Sequence, residues 1–402
     1  MKYGVVVHKT TRNLGDDIQS YACLRQVPRA DYVLDREHLD TFESNNDEPV
    51  AAIFSAWWLW HKWNWPPAKS IYPLLVGMHF NNYGMEDNGS PIENEWLEGV
   101  GKQFFDAYGP VGVRDDSSIE FLDSLGIDNY FSGCITLTLP RQPETPDKGT
   151  YIVINDLNPA CERATRKWAE DNGLEVRVLT HRLPWKNREL SFEERMKNAE
   201  ERLTIYQNAV CVVTRRLHCT LPCVAMGVPV VPVVGMDTFK NTTRWYPYYG
   251  WVNPLLKSDV AKGDFPYDPF HVPAPKQEIL DLREELLGRV KAFVDEVKDL
   301  EGTADEVRKT TYTDEEAREW QFHLMHDCQE KWLKESRRKN TLIEEKDQEI
   351  ETLKKEKEKL DKALKEARQQ NLTLYQKTRR ALGRAWRKAF GTTPPGSHAK
   401  KK

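Results

Sequence analysis

The sequence lacks a long hydrophobic run and a cysteine framework. The uncharged apolar stretch at residues 49–60 is too short to cross a bilayer. Residues 1–3 lead straight into a strand pattern rather than into a secretory leader. The 7 cysteines are odd in number and include no Cys-x-x-Cys pair, which argues against disulfides and a zinc site. We expect a cytoplasmic protein that binds no metal.

An excess of positive charge is also lacking over most of the chain. The formal net charge is -4, yet residues 376–402 contain 9 Lys and Arg and no acidic residue. The rest of the chain is therefore more acidic than this total indicates. Nucleic acid, which needs a basic surface, is not an expected partner.

Strand and helix patterns alternate from residue 2 to about residue 300, with a proline-bearing polar link at 141–148. The alternation predicts parallel sheets with helices on both faces. A chain of 402 residues exceeds one ordinary core. We therefore predict an α/β fold with two Rossmann-like doubly wound domains, a helical coiled-coil extension and a basic amphipathic tail, bounded at 1–140, 149–300, 303–375 and 376–402.

The most informative stretch is 210–234. A β-branched run ends at 214–218 (TRRLH), a helix follows, and Gly227 ends it. Pro222 fits this helix only if it lies in the first turn. Two arginines and a histidine thus lie where a strand meets a helix N-terminus, the ligand-binding edge of an open α/β sheet. Because helix N–H groups and guanidinium charges favour anions, we predict an anion pocket that contains a titratable group.

The first half offers three further polar positions. The strand-to-helix loop 13–17 (NLGDD) has one glycine and two acids, so it is not a phosphate-cradling loop. Asp16 and Asp17 either cap the helix or accept a proton from a sugar hydroxyl. Arg114 ends a strand beside two aspartates, where an ion pair is the alternative to ligand binding, and His79 ends another strand.

Aromatic residues are concentrated in two places. Residues 239–254 are expected to form an irregular loop over the cleft. Tryptophans also crowd one predicted loop around His61, at Trp57, Trp58, Trp60, Trp63 and Trp65. Indole faces suit sugar rings and membrane interfaces, and the alternative is a small core beneath the loop.

Three motifs in order resemble the polysaccharide pyruvyl transferase family: Asn13-x-Gly15-Asp16-Asp17, Val113-Arg114-Asp115-x-x-Ser118 and Arg216-Leu217-His218. The resemblance covers about residues 1–300. It implies two Rossmann-like domains facing a cleft, similar to GT-B glycosyltransferases. It also implies transfer of the enolpyruvyl group of phosphoenolpyruvate onto two hydroxyls of a sugar, in a cell-surface polysaccharide or its lipid-linked precursor.

In this family the residues matching Arg114, Arg216 and His218 hold phosphoenolpyruvate and assist the chemistry. Arginine suits both anions of this donor because it binds them bidentately. We expect Arg114 from one domain to meet Arg216 and His218 from the other on the donor. His218 is the expected acid and Asp17, or Asp16, the expected base. No cofactor is expected. Further substrate contacts are expected from Asn13, Gly15, Asp16, His79, Thr214 and Leu217.

Two other functions are compatible with these features. A GT-B glycosyltransferase would place a sugar-nucleotide diphosphate against the same arginines. Alternatively, the α/β part is a non-catalytic scaffold and the coiled coil organises a glycan assembly.

The C-terminal extension carries an imperfect heptad pattern, which predicts a homodimeric coiled coil or, alternatively, a single solvated helix. Residues 374–390 form a basic amphipathic pattern suited to the anionic inner face of the plasma membrane, unless they are a nonspecific basic tail. The a positions are Ile343, Ile350, Lys357, Leu364 and Asn371, and the d positions are Lys346, Leu353, Leu360, Ala367 and Leu374.

Overall fold

The computed structural model describes residues 1–80, 94–142, 148–235 and 239–391. The chain divides into two units, Met1–Gln329 and Glu330–Lys402. The end of the basic tail and most of the predicted link at 141–148 lie outside the described residues. The division of the first unit into domains at 1–140 and 149–300 remains a prediction.

The first half of the larger unit alternates strands and helices. In chain order its elements are β1 (Lys2–Val7), α1 (Leu14–Leu24), β2 (Tyr32–Asp35), β3 (Val50–Phe54), β4 (Trp57–Trp58), β5 (Ile71–Leu75), β6 (His79–Phe80), α2 (Gly99–Tyr108), β7 (Val111–Val113), α3 (Asp116–Ser124) and β8 (Asn129–Phe131).

The second half continues the alternation and ends in helices. Its elements are β9 (Tyr151–Asn155), α4 (Pro159–Asp171), β10 (Glu175–Leu179), α5 (Phe192–Gln207), β11 (Val212–Thr214), α6 (Leu217–Ala225), β12 (Val230–Val234), α7 (Phe239–Val252), β13 (Leu255–Leu256), α8 (Lys257–Val260), α9 (Gln277–Lys298), α10 (Ala304–Val307) and α11 (Asp314–Phe390).

Two parallel sheets carry the fold, which confirms the predicted α/β class. The first has the strand order β2-β1-β3-β5, and the second has the order β10-β9-β11-β12-β13. Shorter parallel pairs join β4 to β6 and β7 to β8. Central strands such as β3 and β9 are buried along their whole length, as expected for a sheet covered on both faces.

One hydrophobic core joins the two sheets. Ile18 and Ile53 from the first sheet's layers belong to the same buried cluster as Val153 and Leu217 from the second. The helix α9 adds Ile279 to this cluster, so the chain returns to pack across both halves. Burial of this apolar surface stabilises the relative position of the two sheet edges.

A backbone strap also links the halves beside the sheet edges. The Leu14 N–H donates to the His181 carbonyl at 2.8 Å, and the Leu183 N–H donates to the Arg12 carbonyl at 2.8 Å. The loop before α1 is therefore held against the loop after β10.

Three local expectations were wrong. Residues 239–252 form the helix α7 rather than a loop, because Trp245, Tyr248 and Val252 bury one face against the core. Asn13, rather than an aspartate, caps α1 by accepting the Gly15 N–H. Pro222 lies inside α6 and not in its first turn.

The helix α11 spans the predicted helical extension from Asp314 and continues through the predicted amphipathic segment to Phe390. Its first turns belong to the larger unit, where Leu324 and Cys328 are buried in a cluster with Tyr312. The Gln321 side-chain amide donates to the Pro66 carbonyl at 2.8 Å. In the described residues, every helix is either too short or too polar to cross a membrane.

We predict that Leu324→Ala lowers the free energy of unfolding by about 2–5 kcal/mol, because it removes a fully buried side chain. Denaturant unfolding followed by tryptophan fluorescence measures this. The control is Met325→Ala on the same helix, since Met325 is 47% exposed. Equal losses in the two variants would contradict packing of this helix on the larger unit.

Candidate active site

A cavity of about 290 Å³ lies at the carboxyl ends of β9, β11 and β12, where α6 begins. This is the edge at which open α/β sheets bind ligands. Cationic, imidazole and aromatic groups share the lining. The lining residues are Asn13, Leu157, Asn158, Cys161, His181, Arg215, Arg216, Leu217, His218, Val233, Val234, Gly235, Trp245, Tyr249 and Lys257.

Arg216 occupies the N-cap position of α6 and lines this cavity. Its Nε donates to Asp156 Oδ2 at 2.8 Å. Although burial acts to raise it, hydrogen bonds from Thr180 and His181 and the charge of Arg216 hold the pKa of Asp156 below its ordinary value. The guanidinium is thus oriented through one of its five N–H donors, and the others remain for an anion.

Thr214 and Leu217 support this turn. The Thr214 hydroxyl donates to the Asn155 carbonyl at 3.1 Å and accepts the Arg216 N–H at 3.0 Å. Leu217 contributes to the main core and also lines the cavity. Thr214 does not line the cavity; its hydrogen bonds fix the backbone of the turn that carries Arg216.

His218 is buried at the base of α6, where helical geometry is interrupted (φ -78°, ψ 16°). Pro222, four residues later, has no N–H to give to the His218 carbonyl, and this accounts for the interruption. A Cβ on Gly15 would lie 3.1 Å from His218 Cβ and 3.1 Å from its Nδ1. Glycine at this position therefore lets the α1 loop approach the imidazole.

Arg114, which follows β7 in the first half of the larger unit, reaches His218. Its Nη1 lies 3.3 Å from His218 Nε2 and donates to Gln19 Oε1 at 2.8 Å. Arginine only donates, so this contact requires Nε2 to accept and places the imidazole proton on Nδ1. Arg114 is buried and is not among the lining residues. Arg114 therefore contacts a lining residue, His218, without lining the cavity beside Arg216, which corrects the expected arrangement.

Asp17 lies away from the cavity. Its Oδ1 accepts hydrogen bonds from both Nε and Nη2 of Arg195, with the Nε contact at 2.9 Å. Burial raises the pKa of Asp17 to about 6, against the lowering effect of the Arg195 charge. The structure therefore places this expected base in an ion pair between α1 and α5.

Asp16 lies closer to the cavity. Asn13 Nδ2 donates to Asp16 Oδ1 at 3.2 Å, and the Thr11 hydroxyl donates to Oδ2. The His8 Nδ1 is 3.7 Å from the same Oδ2. Burial acts to raise the pKa of Asp16, but His8, Arg36 and Thr11 together hold it well below its usual range. Asp16 is therefore an ionised carboxylate that contacts a residue of the cavity lining, Asn13.

His79 is buried at the start of β6 and does not line the cavity. Its Nδ1 lies 2.6 Å from Asp115 Oδ2. Asp115 also caps α3 by accepting the Ser118 N–H at 3.0 Å. This pair anchors the strand end from which Arg114 projects, so the structure gives His79 a supporting position.

Sequence reasoning missed several residues of the lining, among them His181 and Lys257. His181 follows the end of β10. The other candidates were recognised from the same kind of position, so the sequence pattern could have identified His181 as well. Its Nε2 lies 2.9 Å from the Tyr206 hydroxyl. Burial, with the charges of Arg202 and Arg216, lowers the pKa of His181 to about 3. Lys257 follows β13, a strand too short to be recognised in the sequence.

Comparison with known proteins identifies the family. The model of the family described as polysaccharide pyruvyl transferase matches residues 13–237. The chain belongs to the polysaccharide pyruvyl transferase family. It is accordingly a transferase, and the matched region includes the α1 loop, Arg114 and the α6 turn.

Other comparisons add little to this assignment. A crystal structure of an uncharacterised protein from Klebsiella pneumoniae is similar at 12% identity and a TM-score of 0.34, over 61% of this chain and 88% of that chain. No curated protein matches the chain.

We predict that His181 makes this protein less stable in mild acid. The folded pKa lies below the unfolded value of about 6.5, so between these values only the unfolded chain binds the proton, and stability falls as the pH falls. From pH 7 to pH 5 the loss due to this residue is about 2 kcal/mol.

Denaturant unfolding of His181→Gln at both pH values measures this contribution. The variant should lose about 2 kcal/mol less than the wild type on acidification. His271→Gln, at an exposed histidine, is the control and should resemble the wild type. An unchanged acid response in His181→Gln would contradict a buried neutral imidazole.

Proposed function

We propose that this protein transfers the enolpyruvyl group of phosphoenolpyruvate onto two hydroxyls of a sugar, in a cell-surface polysaccharide or its lipid-linked precursor. The supporting observation is a small cavity that combines Arg215, Arg216 and Lys257 with the His218 imidazole at a helix N-terminus. The family relationship supports the same reaction class.

The donor's charge suits this cavity. Phosphoenolpyruvate carries a phosphate and a carboxylate on a three-carbon frame, so it needs several convergent cations. Arg216 offers N–H donors beyond the one used by Asp156, and Arg215 and Lys257 add charge from separate parts of the lining. The N–H groups at the start of α6 add a partial positive charge.

The chemistry needs one proton on the donor's methylene carbon and two acceptor oxygens on its central carbon. One hydroxyl proton is in effect moved to the methylene carbon, and the other leaves with the phosphate. We assign His218 to proton delivery at the methylene carbon or the leaving phosphate. Arg114 and Gly15 contact this ring and hold its orientation. We propose that Asp16, rather than Asp17, accepts a hydrogen bond from an acceptor hydroxyl, because Asp16 contacts Asn13 of the lining whereas Asp17 is paired with Arg195.

We predict that phosphoenolpyruvate raises the melting temperature of the wild type, because ligand binding stabilises the folded state. Arg216→Leu should weaken donor binding by roughly tenfold to a hundredfold and abolish most of the shift. His218→Gln should retain the shift but lose pyruvyl transfer to an oligosaccharide. Transfer is measured by the phosphate that the reaction releases. Differential scanning fluorimetry and a phosphate assay measure these outcomes.

Lys291→Ala removes a surface cation of α9 and serves as the control for lost charge. It should behave as the wild type in both assays. A shift with a sugar nucleotide and none with phosphoenolpyruvate would contradict the proposal and favour a glycosyltransferase. Normal phosphate release by His218→Gln would remove this residue from the mechanism.

We also propose that the smaller unit pairs with a second copy of this chain. In a single chain, four apolar side chains at heptad positions of this helix are between 48% and 70% exposed to solvent: Ile350, Leu353, Leu360 and Leu364. Pairing two helices along this seam would bury them.

Nearer the C-terminus, Leu382, Trp386 and Phe390 accompany a basic surface, and binding of this segment to an anionic membrane stays a prediction from the sequence.

We predict that the double variant Leu353→Glu and Leu360→Glu is monomeric at micromolar concentration while the wild type is dimeric, because like charges would face each other in the seam. Size-exclusion chromatography with light scattering of the full chain measures the mass. Lys355→Glu, off the seam, is the control and should remain dimeric. A monomeric wild type would contradict the proposed pairing.

A further inference from the structure

The Trp-rich loop after β3 is divided between a core and a surface. Trp58 and Trp65 are 0% exposed, and Trp65 packs against Phe104 and Phe105 with ring centroids 4.9 Å apart in each case. Trp60, in contrast, is 43% exposed. The loop therefore has a rigid base and presents an indole to solvent.

Trp60 does not stand alone on this surface. Its ring centroid lies 4.3 Å from that of half-buried Trp57, at an interplanar angle of 49°. The Arg36 guanidinium lies 5.6 Å from the ring centroid of Trp57. The two indoles are in ring contact with each other, and we call them the indole pair.

Buried polar contacts fix the indole pair in place. Glu37 Oε2 accepts the backbone N–H groups of Trp60 and His61 at 3.0 and 2.9 Å. The other carboxylate oxygen of Glu37 accepts Nη2 of Arg36 at 2.7 Å. Because this side of the loop is already ordered, a ligand would lose little free energy in ordering it.

The indole pair lies at the carboxyl edge of the first sheet, the same type of edge that holds the cavity in the second sheet. Trp57 follows β3 and pairs in register with His79, while Arg36 follows β2. The charge of Arg36 also acts on Asp16. Asp16 in turn contacts Asn13, a residue of the cavity lining. A series of neighbouring groups thus runs from the indole pair to the cavity.

We propose that the indole pair of Trp57 and Trp60 binds a pyranose ring of the acceptor glycan, with Asp16 and His8 receiving hydroxyls on the cavity side. This inference rests on the proposed function. The C–H bonds of a sugar carry partial positive charge and pack against the negative face of an indole, while its hydroxyls point outward to polar groups. The partly exposed carboxylate of Asp16, in the first turn of α1, and the imidazole of His8, directly after β1, provide such partners.

Saturation-transfer difference NMR on the full chain tests this surface, with methyl pyranosides of glucose, galactose, mannose and N-acetylglucosamine as probes and no phosphoenolpyruvate present. At least one probe should bind the wild type. Trp60→Ala should weaken that binding by about tenfold, while Trp60→Phe should retain most of it. Phe270→Ala, at an exposed aromatic residue elsewhere, is the matched control and should bind normally.

Three other outcomes overturn the inference. Equal binding by Trp60→Ala and the wild type would show that the indole pair is not the sugar site, and so would absence of binding by the wild type. Reduced association of Trp60→Ala with phosphatidylglycerol vesicles, with sugar binding unchanged, would assign the surface to a membrane. Sugar binding that depends on Trp60 without any thermal shift by phosphoenolpyruvate would leave this inference standing and contradict the proposed donor.

Discussion

The contact between the His218 imidazole and the Arg114 guanidinium is the interaction on which the site depends. Their nitrogens lie 3.3 Å apart, although the residues are separated by 104 positions in the chain. Arg114, at the end of the β7–β8 strand pair, holds the tautomer of a histidine at the edge of the second sheet. Gly15 packs against the same imidazole, and the side chain of any larger residue at this position would crowd the ring. This junction requires the two sheets to keep a fixed relative position.

The shared core and the strap provide that constraint. Residues from both sheets belong to one buried cluster, and the backbone pairing of the α1 loop with the loop after β10 brings Asn13 and His181 to the same cavity. The ion pair of Asp17 with Arg195 also joins α1 to α5. Residues that sequence reasoning assigned to chemistry, such as Asp17 and His79, here maintain the geometry around the chemistry.

Much of the site was predictable because parallel strands bring their carboxyl ends to a common edge. The TRRLH turn and the NLGDD loop were recognised from their position between a strand and a helix, and the structure places Arg216, His218 and Asn13 in one cavity. The division of labour between Asp16 and Asp17 was not predictable. Adjacent residues at the start of a helix point about 100° apart, so burial decides which one meets Arg195.

The sequence alone determined the alternation of strands and helices, because the spacing of apolar residues reports which face each element buries. It also determined the chemical character of the pocket, because the strand-to-helix turn at 214–218 puts Arg215, Arg216 and His218 at the ligand-binding edge of a parallel sheet. Only the tertiary structure decided that Arg114 contacts His218 rather than the cavity, and that residues 239–252 are helical. Both depend on contacts between segments far apart in the chain, and such contacts leave no local pattern in either segment.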